Sequence, residues 1–162
     1  MYKIGDRILY PMHGAGVIEA IEEKEILGKK QSYYIMKLPV GEMKVMIPMH
    51  NVNEIGVREI ISIKEAHVGI NRFREYSIDD EQNWNKRCRE YMDKIKSGDI
   101  YEVLSVVKSL MCRDKKKGLS TGERKMLCSA KQILLSELVL TTSQDQTTIE
   151  SLLEDAITEA IV

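Results

Sequence analysis

Residues 43–49 have the sequence MKVMIPM, and this stretch decides how the first third of the chain folds. Lys44 and Met46 occupy one side of an alternating pattern. The other side carries the apolar residues Met43, Val45, Ile47 and Met49. Alternation with a period of two is typical of a β-strand that buries one face. The sequence therefore predicts a strand here that borders a hydrophobic core.

The forty or so residues before this stretch continue the β pattern, because short apolar runs alternate with turn residues. The runs cover residues 8–10, 17–26 and 34–38. The turn residues between them are Pro11, Gly14, Gly16, Gly28, Pro39 and Gly41. Four or five short strands joined by tight turns leave no room for crossover helices. We expect a small antiparallel β-barrel of SH3 or Tudor type.

The glycines that follow His13 raise the question of a phosphate-binding loop. Such a loop needs a Lys-Ser or Lys-Thr pair and a helix directly after it, and neither is expected here. We therefore expect Gly14 and Gly16 to serve a turn that requires positive φ angles.

From about residue 60 onwards the apolar spacing becomes helical. Ser62 with Glu65, and Ser120 with Glu123, have the form of capping boxes. Asp99 has the form of an N-cap. The apolar stripes that follow these caps predict three amphipathic helices.

Two more helices complete the predicted order. One should begin near Asp80 and end at Lys96, and the last should follow a polar linker with the sequence TTSQDQTT. The chain is thus expected to be α+β, with a β domain in residues 1–62 and an all-α helical domain in residues 63–162.

The composition is that of an ordinary folded protein, and it argues against several functional classes. Of the 162 residues, 43% are apolar and 30% are charged. No stretch approaches the roughly 20 apolar residues that span a bilayer. The N-terminus lacks the apolar segment of a secretory signal. We therefore expect a cytoplasmic protein that does not bind membranes.

The cysteines and histidines form no metal-binding or catalytic pattern. Cys88, Cys112 and Cys128 are odd in number and far apart, whereas zinc sites and disulfide frameworks need closer or more numerous cysteines. We expect these thiols to be buried or half-buried on helices. No HxxxH or His/Asp/Ser arrangement is visible, so we expect no enzymatic activity, no metal and no cofactor.

The net charge of −1 hides a separation of charge along the chain. Residues 84–131 carry 13 Lys and Arg against 6 Asp and Glu, whereas residues 132–162 carry 6 acidic residues and no Lys or Arg. A basic block of this kind is typical of a chain that binds an acidic partner. Two helix N-termini expected near residues 83 and 122 would add backbone amides that bind anions.

Trp84, the only tryptophan, stands at the start of the basic block. Helical spacing places it in one stripe with Cys88 and Ile95, which favours a role in core packing. Its neighbours Asn83 and Asn85 prefer water, and the first turn of a helix often runs out into solvent. A partly exposed indole beside a phosphate-binding surface would instead insert at a base step or stack on an unpaired base. The residue pattern alone leaves both interpretations open.

Four segments carry a resemblance to a known family. They are YPMHGAGVIEAIE (10–22), IPMHNVNEIGVREI (47–60), NWNKRCREYMDKIKSGD (83–99) and GLSTGERKMLCSAKQILLSEL (118–138). In order and spacing they resemble the CarD/CdnL family of bacterial transcription regulators, whose signature is a Tyr-Pro-x-His-Gly-x-Gly turn. The resemblance covers essentially the whole chain.

The resemblance implies a role for the helical domain. In this family the C-terminal domain contacts promoter DNA just upstream of the melted region. The tryptophan of the Asn-Trp motif, here Trp84, is pressed into the minor groove at the upstream fork. The basic residues that match the family's DNA contacts are Lys86, Arg87, Arg124 and Lys125.

The resemblance also implies a protein partner. The family's N-terminal domain is Tudor-like and binds the β subunit of RNA polymerase, and a similar domain occurs in the transcription-repair coupling factor. Lys24 matches a position where relatives use a basic residue against the polymerase. Met46 falls where some relatives carry an arginine, so the interface departs from the family pattern here. Ile26 and Met46 are expected to make apolar contacts beside a barrel edge that pairs with a strand of the partner.

These observations predict a monomeric, nucleoid-associated transcription regulator that binds polymerase and promoter DNA and stabilises the open complex. Two other interpretations stay open. The chain could be an interaction module that binds polymerase or a repair factor without engaging DNA. RNA binding through the small barrel is disfavoured, because that barrel lacks net positive charge and an obvious aromatic platform.

Overall fold

The computed structural model describes residues 1–76 and 83–161, except for the side chains of Trp84, Ala160 and Ile161. Its strands are β1 (Arg7–Tyr10), β2 (Gly14–Ile26), β3 (Lys29–Lys37), β4 (Lys44–Pro48) and β5 (Arg58–Glu59). Its α-helices are α1 (Val52–Ile55), α2 (Ile63–Glu75), α3 (Trp84–Lys96), α4 (Ile100–Lys117), α5 (Thr121–Thr142) and α6 (Gln146–Ile161). The predicted α+β class, with an antiparallel sheet first and the long helices after it, is confirmed.

The strands form one antiparallel sheet in the order β4-β3-β2-β1-β5. The long strand β2 joins its two halves, because it pairs first with β1 and then with β3. The register between β2 and β3 shifts between Ile18 and Ala20, and such a bulge bends a strand. One face of the bent sheet borders a core of its own, formed by Ile8, Ile18, Tyr34, Met36, Leu38, Ile47 and Val57.

The strand predicted at residues 43–49 is β4. Ile47 is fully buried, and Val45 and Met49 pack against the same core while half-buried. Met43 departs from the pattern, since it precedes the strand and is exposed. The alternation therefore predicted the strand and its buried face correctly, but not its ends, because the strand runs from Lys44 to Pro48 and Met49 begins a 3-10 turn.

The turn between β1 and β2 lies earlier than the sequence indicates. Because β2 begins at Gly14, the turn is made by residues 11–13, with Met12 at a φ of 74°. Gly14 has a positive φ of 117°, whereas Gly16 has none, so the prediction for Gly16 is wrong. A Cβ atom on Gly16 would lie 2.5 Å from the carbonyl oxygen of Lys37. Glycine is needed there because two strands approach closely.

The three predicted N-caps are confirmed. Ser62 Oγ accepts a hydrogen bond from the amide of Glu65 at 3.1 Å, and Ser120 Oγ accepts one from the amide of Glu123 at 3.2 Å. Both pairs also make the reciprocal bond of a capping box. Asp99 caps α4 with its carboxylate. These bonds satisfy amide groups that a helix start leaves without a partner.

Of the two expectations about the other helices, the linker is wrong and the start near Asp80 is not tested. The TTSQDQTT stretch is not a linker, because α5 continues to Thr142 and α6 begins at Gln146. Thr142 Oγ1 donates to a backbone carbonyl one turn earlier at 2.7 Å, and Asp145 caps α6, so these polar residues belong to helix ends. Only residues 143–145 connect the two helices. The predicted helix start near Asp80 lies outside the described residues.

The helices enclose a second core to which the sheet contributes. Leu9 of β1 and Ala15 of β2 are buried among helical residues. The helical members include Phe73, Ile95, Leu104, Val107, Leu110, Leu134, Leu138, Leu153 and Ile157. We call residues 1–62 the β module and residues 63–162 the helical module. Because the second core draws on both, the two modules are packed together rather than strung on a linker.

A buried carboxylate joins the two modules. Glu137 of α5 is 1% exposed and accepts hydrogen bonds from Arg58 Nη1 at 2.6 Å and Arg58 Nη2 at 2.8 Å. It also accepts the amide of Ile61 at 3.0 Å. A bidentate guanidinium pair fixes orientation as well as distance. The β module is therefore held in one direction relative to α5.

The remaining expectations from composition are tested only in part. Cys112 is buried and Cys88 half-buried, but Cys128 is exposed, because its side of α5 faces away from the core that holds Met126 and Ala130. Within residues 1–76 and 83–161, no three His, Cys, Asp or Glu are grouped so that they could hold a metal ion. None of the helices described here has the length and apolar character to cross a membrane.

Candidate functional site

The starts of α3 and α5 form the first candidate surface. Asn83 Oδ1 accepts a hydrogen bond from the amide of Lys86 at 2.9 Å and so caps α3. Ser120 caps α5 in the same way. A helix N-terminus carries partial positive charge and unpaired amides, and it therefore favours anions.

A buried ionic cluster brings these two helix starts together. Arg87 lies in the first turn of α3 and is only 5% exposed. Its Nη2 is 3.4 Å from Oε2 of Glu123, which lies in the first turn of α5. Arg113 Nε of α4 is 3.3 Å from the same oxygen. We call Arg87, Glu123 and Arg113 the ionic cluster, and it positions α3, α4 and α5 against each other.

The structure separates the four predicted DNA-contacting cations into two kinds. Lys86, Arg124 and Lys125 are exposed around the joined helix starts. Arg124 Nη2 lies 3.7 Å from Asp114 Oδ1, which is a weak exposed pair. Arg87 differs from the surface cation that its sequence neighbours indicate, because it is buried against Glu123. Its location makes it part of the support for the surface instead of part of the surface.

Trp84 is placed only through its backbone. It is the first residue of α3 and lies three residues before Arg87. Its side chain lies outside the described residues, so the predicted insertion of the indole stays a prediction. What the structure does establish is that this position opens the same helical turn that the ionic cluster fixes.

The end of α2 is hydrogen-bonded to α4 at two points. The Tyr76 hydroxyl donates to the carbonyl of Tyr101 at 3.0 Å, and burial raises the pKa of this hydroxyl. Lys108 is 1% exposed, and its Nζ donates to the carbonyl of Arg74 at 2.7 Å. Burial lowers the pKa of the Lys108 ammonium. These bonds tie the last turn of α2 to α4.

The second candidate surface lies on one face of the sheet. Met46 of β4 is paired with Ile35 of β3, which is paired in turn with Ala20 of β2. Paired residues share a face, and every second residue along a strand shares it too. Lys24 and Ile26, at four and six positions beyond Ala20, therefore lie on the same face as Met46. The three predicted polymerase-contacting residues are thus brought onto one surface about 20 Å long.

This surface is bordered by an open strand edge. β4 stands at the end of the strand order, so its outer side has no strand partner among the described residues. Such an edge presents unpaired backbone groups that can bind an extended segment of another chain. Met46 lies on this edge strand and Ile26 at the far end of β2, and both side chains are exposed. Lys24 Nζ is 3.6 Å from Glu22 Oε2.

Several residues that shape these surfaces were not predicted from the sequence. Glu123 was recognised as a capping residue but not as a buried acid. Glu137 and Lys108 stand within apolar stripes of α5 and α4, and a charged residue in such a stripe is the signal that would have drawn attention to them. Their partners lie far away in the sequence, so the pairs themselves could not have been found.

Comparisons with known proteins match two separate parts of the chain. Residues 70–154 match the family described as CarD, C-terminal domain. Residues 2–61 match the family described as CarD-like/TRCF RID domain. The chain belongs to the CarD family.

One relative extends the match over most of the chain. The protein named "Putative transcription factor YdeB" from Bacillus subtilis (strain 168) is 43% identical over 138 residues, which are 85% of this chain and 90% of that protein. A solved structure, the solution NMR structure of the 72-residue N-terminal domain of Myxococcus xanthus CarD, is 36% identical and covers 36% of this chain and 79% of that domain, with a TM-score of 0.32. This CarD-family protein is a transcription regulator.

Proposed function

We propose that this CarD-family protein joins RNA polymerase to promoter DNA and prolongs the lifetime of the open complex. The observation that carries the proposal is the pair of joined helix starts. Lys86 is exposed two residues after Trp84 at the start of α3, and Arg124 and Lys125 are exposed at the start of α5, where the positive ends of the two helices add to their charge. Such a surface attracts phosphates without reading bases.

The helical module acts on DNA by differential binding. The three exposed cations hold the backbone at the upstream edge of the transcription bubble. The Trp84 indole enters the minor groove there and occupies the space that the closing duplex would need. If this contact is stronger in melted DNA than in closed duplex by about 1.4 kcal/mol, the equilibrium shifts tenfold towards the open complex. Arg87 supports this surface from beneath.

The β module recruits the protein to the polymerase β subunit. A strand of the partner pairs with the open edge of β4, so backbone hydrogen bonds supply much of the affinity. Lys24, Ile26 and Met46 then provide side-chain contacts on the adjoining face. In this chain Met46 makes an apolar contact in place of the arginine expected from some relatives.

Each module binds one partner: the β module, residues 1–62, binds the polymerase, and the helical module, residues 63–162, binds DNA. We expect the protein to act as a monomer at the nucleoid in the cytoplasm, without enzymatic activity or cofactor. Leu9 and Ala15 of the β module pack into the helical core, so the proposal is tested with the full chain and not with one module alone.

Replacing Trp84 by Ala in the full chain tests the proposal. Without the indole, the open-complex lifetime should fall about tenfold, because the contact specific to melted DNA is lost. Affinity for the polymerase should stay within about twofold, since Trp84 is not on the β module. Lifetimes are measured by competitor challenge of promoter complexes, and Trp84→Phe serves as the matched aromatic control.

The outcome also separates the alternative function. An unchanged lifetime with intact polymerase binding would show that the chain is an interaction module that does not engage DNA. A loss of polymerase binding in Trp84→Ala would contradict the division of labour between the modules.

A further inference from the structure

The turn that joins β2 to β3 has an unusual residue at its tip. Ile26 and Lys29 form the last pair of the two strands, so the loop consists of Leu27 and Gly28 alone. Both have positive φ angles, 53° and 79°. Positive φ at both central residues defines a type I′ turn, whose preferred sequences are Asn-Gly, Asp-Gly and Gly-Gly.

Leu27 is unfavourable in this turn for two separate reasons. Its side chain is strained in the left-handed region, which Asn and Gly tolerate much better. It is also 98% exposed, so its apolar surface stays in water. Asparagine would avoid both costs. Neither core of the described chain includes Leu27, so the folded protein gains no packing from it.

We propose that Leu27 is an apolar anchor for the polymerase β subunit, at the tip of the hairpin that carries Lys24 and Ile26. The inference rests on the polymerase interface proposed above and adds a residue to it. A residue that weakens the isolated fold and is almost fully exposed in it has its use where a partner covers it.

The position of Leu27 favours this partner over another. It follows directly after Ile26, which is exposed on the face shared with Lys24 and Met46. Charged residues flank this apolar pair on both sides, with Glu25 before Ile26 and with Lys29 and Lys30 after Gly28. A small apolar patch, here Ile26 and Leu27, inside a charged rim is the arrangement of an interface contact that becomes desolvated on binding.

Leu27→Asn in the full chain should therefore have opposite effects on stability and binding. Relief of the left-handed strain should raise the Tm by about 2–4 °C. Loss of the apolar contact should weaken binding to Bacillus subtilis core RNA polymerase by about tenfold or more. Leu27→Phe keeps an apolar side chain in the strained turn, and its affinity should stay within about twofold of the original chain.

Two further variants complete the experiment. Ile63→Asn removes another exposed apolar side chain, at the start of α2 in the helical module, and should leave the affinity unchanged. Lys24→Glu reports on the proposed interface itself. If Lys24→Glu weakens binding and Leu27→Asn does not, the anchor is wrong while the interface stands. If neither variant weakens binding, both the interface and the anchor are wrong.

Discussion

Helix α5 carries two buried glutamates, one near each end, and they are held very differently. Glu137 makes short bonds, with two guanidinium nitrogens of Arg58 at 2.6 and 2.8 Å and a backbone amide at 3.0 Å. Glu123 lies 3.4 Å from Arg87 and 3.3 Å from Arg113, and it also caps its own helix. The first arrangement is bidentate and the second is divided among several longer contacts.

The difference reflects what each glutamate connects. Arg58 comes from β5, and its Nε also donates to the carbonyl of Gly98 at 2.9 Å, so the Glu137 site fixes one module to the other. Glu123 connects helices within one module and lies beneath the proposed DNA surface. Short bidentate bonds resist reorientation of the modules. Longer shared contacts position the helix starts with less directional constraint.

Glu137→Gln should have the larger effect on stability. The amide nitrogen of Gln would face donors from Arg58 and Ile61, so a buried hydrogen-bond network would be broken. We expect the free energy of unfolding to fall by about 3–4 kcal/mol, measured by urea denaturation. Glu154→Gln, in the exposed 3.7 Å pair with Lys115, should change it by less than about 0.5 kcal/mol. If Glu137→Gln lowered the free energy of unfolding by less than about 1 kcal/mol, Glu137 would not hold the modules more tightly than Glu123 holds the helix starts.

Glu123→Gln should have an intermediate effect. Gln can still cap the helix, but it no longer neutralises Arg87 and Arg113, so we expect a loss of about 2 kcal/mol. Glu65 occupies the same capping position in α2 but is exposed, so Glu65→Gln should cost less than about 0.5 kcal/mol. Affinity of the folded Glu123→Gln protein for promoter DNA should fall as well. Equal losses in the two variants would mean that Glu123 acts only as a cap.

Lys108→Met extends the comparison to a buried cation and should have the smallest effect at pH 7. It loses the bond to the carbonyl of Arg74 but avoids burying an ammonium, so the net change should be within about 1 kcal/mol. Burial lowers the native pKa of Lys108 below its usual 10.5. The unfolded chain therefore binds more protons between the native pKa and 10.5, and the free energy of unfolding should rise with pH across that window.

The pH dependence is measured as the difference between the original chain and Lys108→Met from pH 7 to pH 10.5, which cancels the other titrating groups. The stability of the original chain should improve relative to the variant as the pH rises. If the difference in the free energy of unfolding does not change between pH 7 and pH 10.5, burial does not destabilise the Lys108 ammonium.

Local patterns predicted much of the fold. The period of two around Ile47 predicted β4, and the Ser62 and Ser120 motifs predicted the starts of α2 and α5. These features depend on residues a few positions apart, so the sequence displays them directly. The TTSQDQTT stretch was misjudged because Ser, Thr and Asp serve equally well in linkers and at helix ends.

The candidate site was predictable in part for the same reason. The concentration of Lys86, Arg124 and Lys125 near two helix starts is visible in the sequence. The burial of Arg87 is not, because Arg87 and its exposed neighbour Lys86 are the same kind of residue in adjacent positions. The approach of Glu123 is one contact that distinguishes them.

What the sequence determined by itself is the order of elements, their caps and the separation of charge, since each depends on neighbours along the chain. What only the tertiary structure decided is which charged residues are buried. Arg87 and Glu123 are 36 positions apart, and Arg58 and Glu137 are 79 apart. A buried charge needs a partner that the fold brings to it, an opposite charge for Arg87 and Glu137 and a backbone carbonyl for Lys108. That meeting is settled by the packing of whole helices and strands, not by any local pattern.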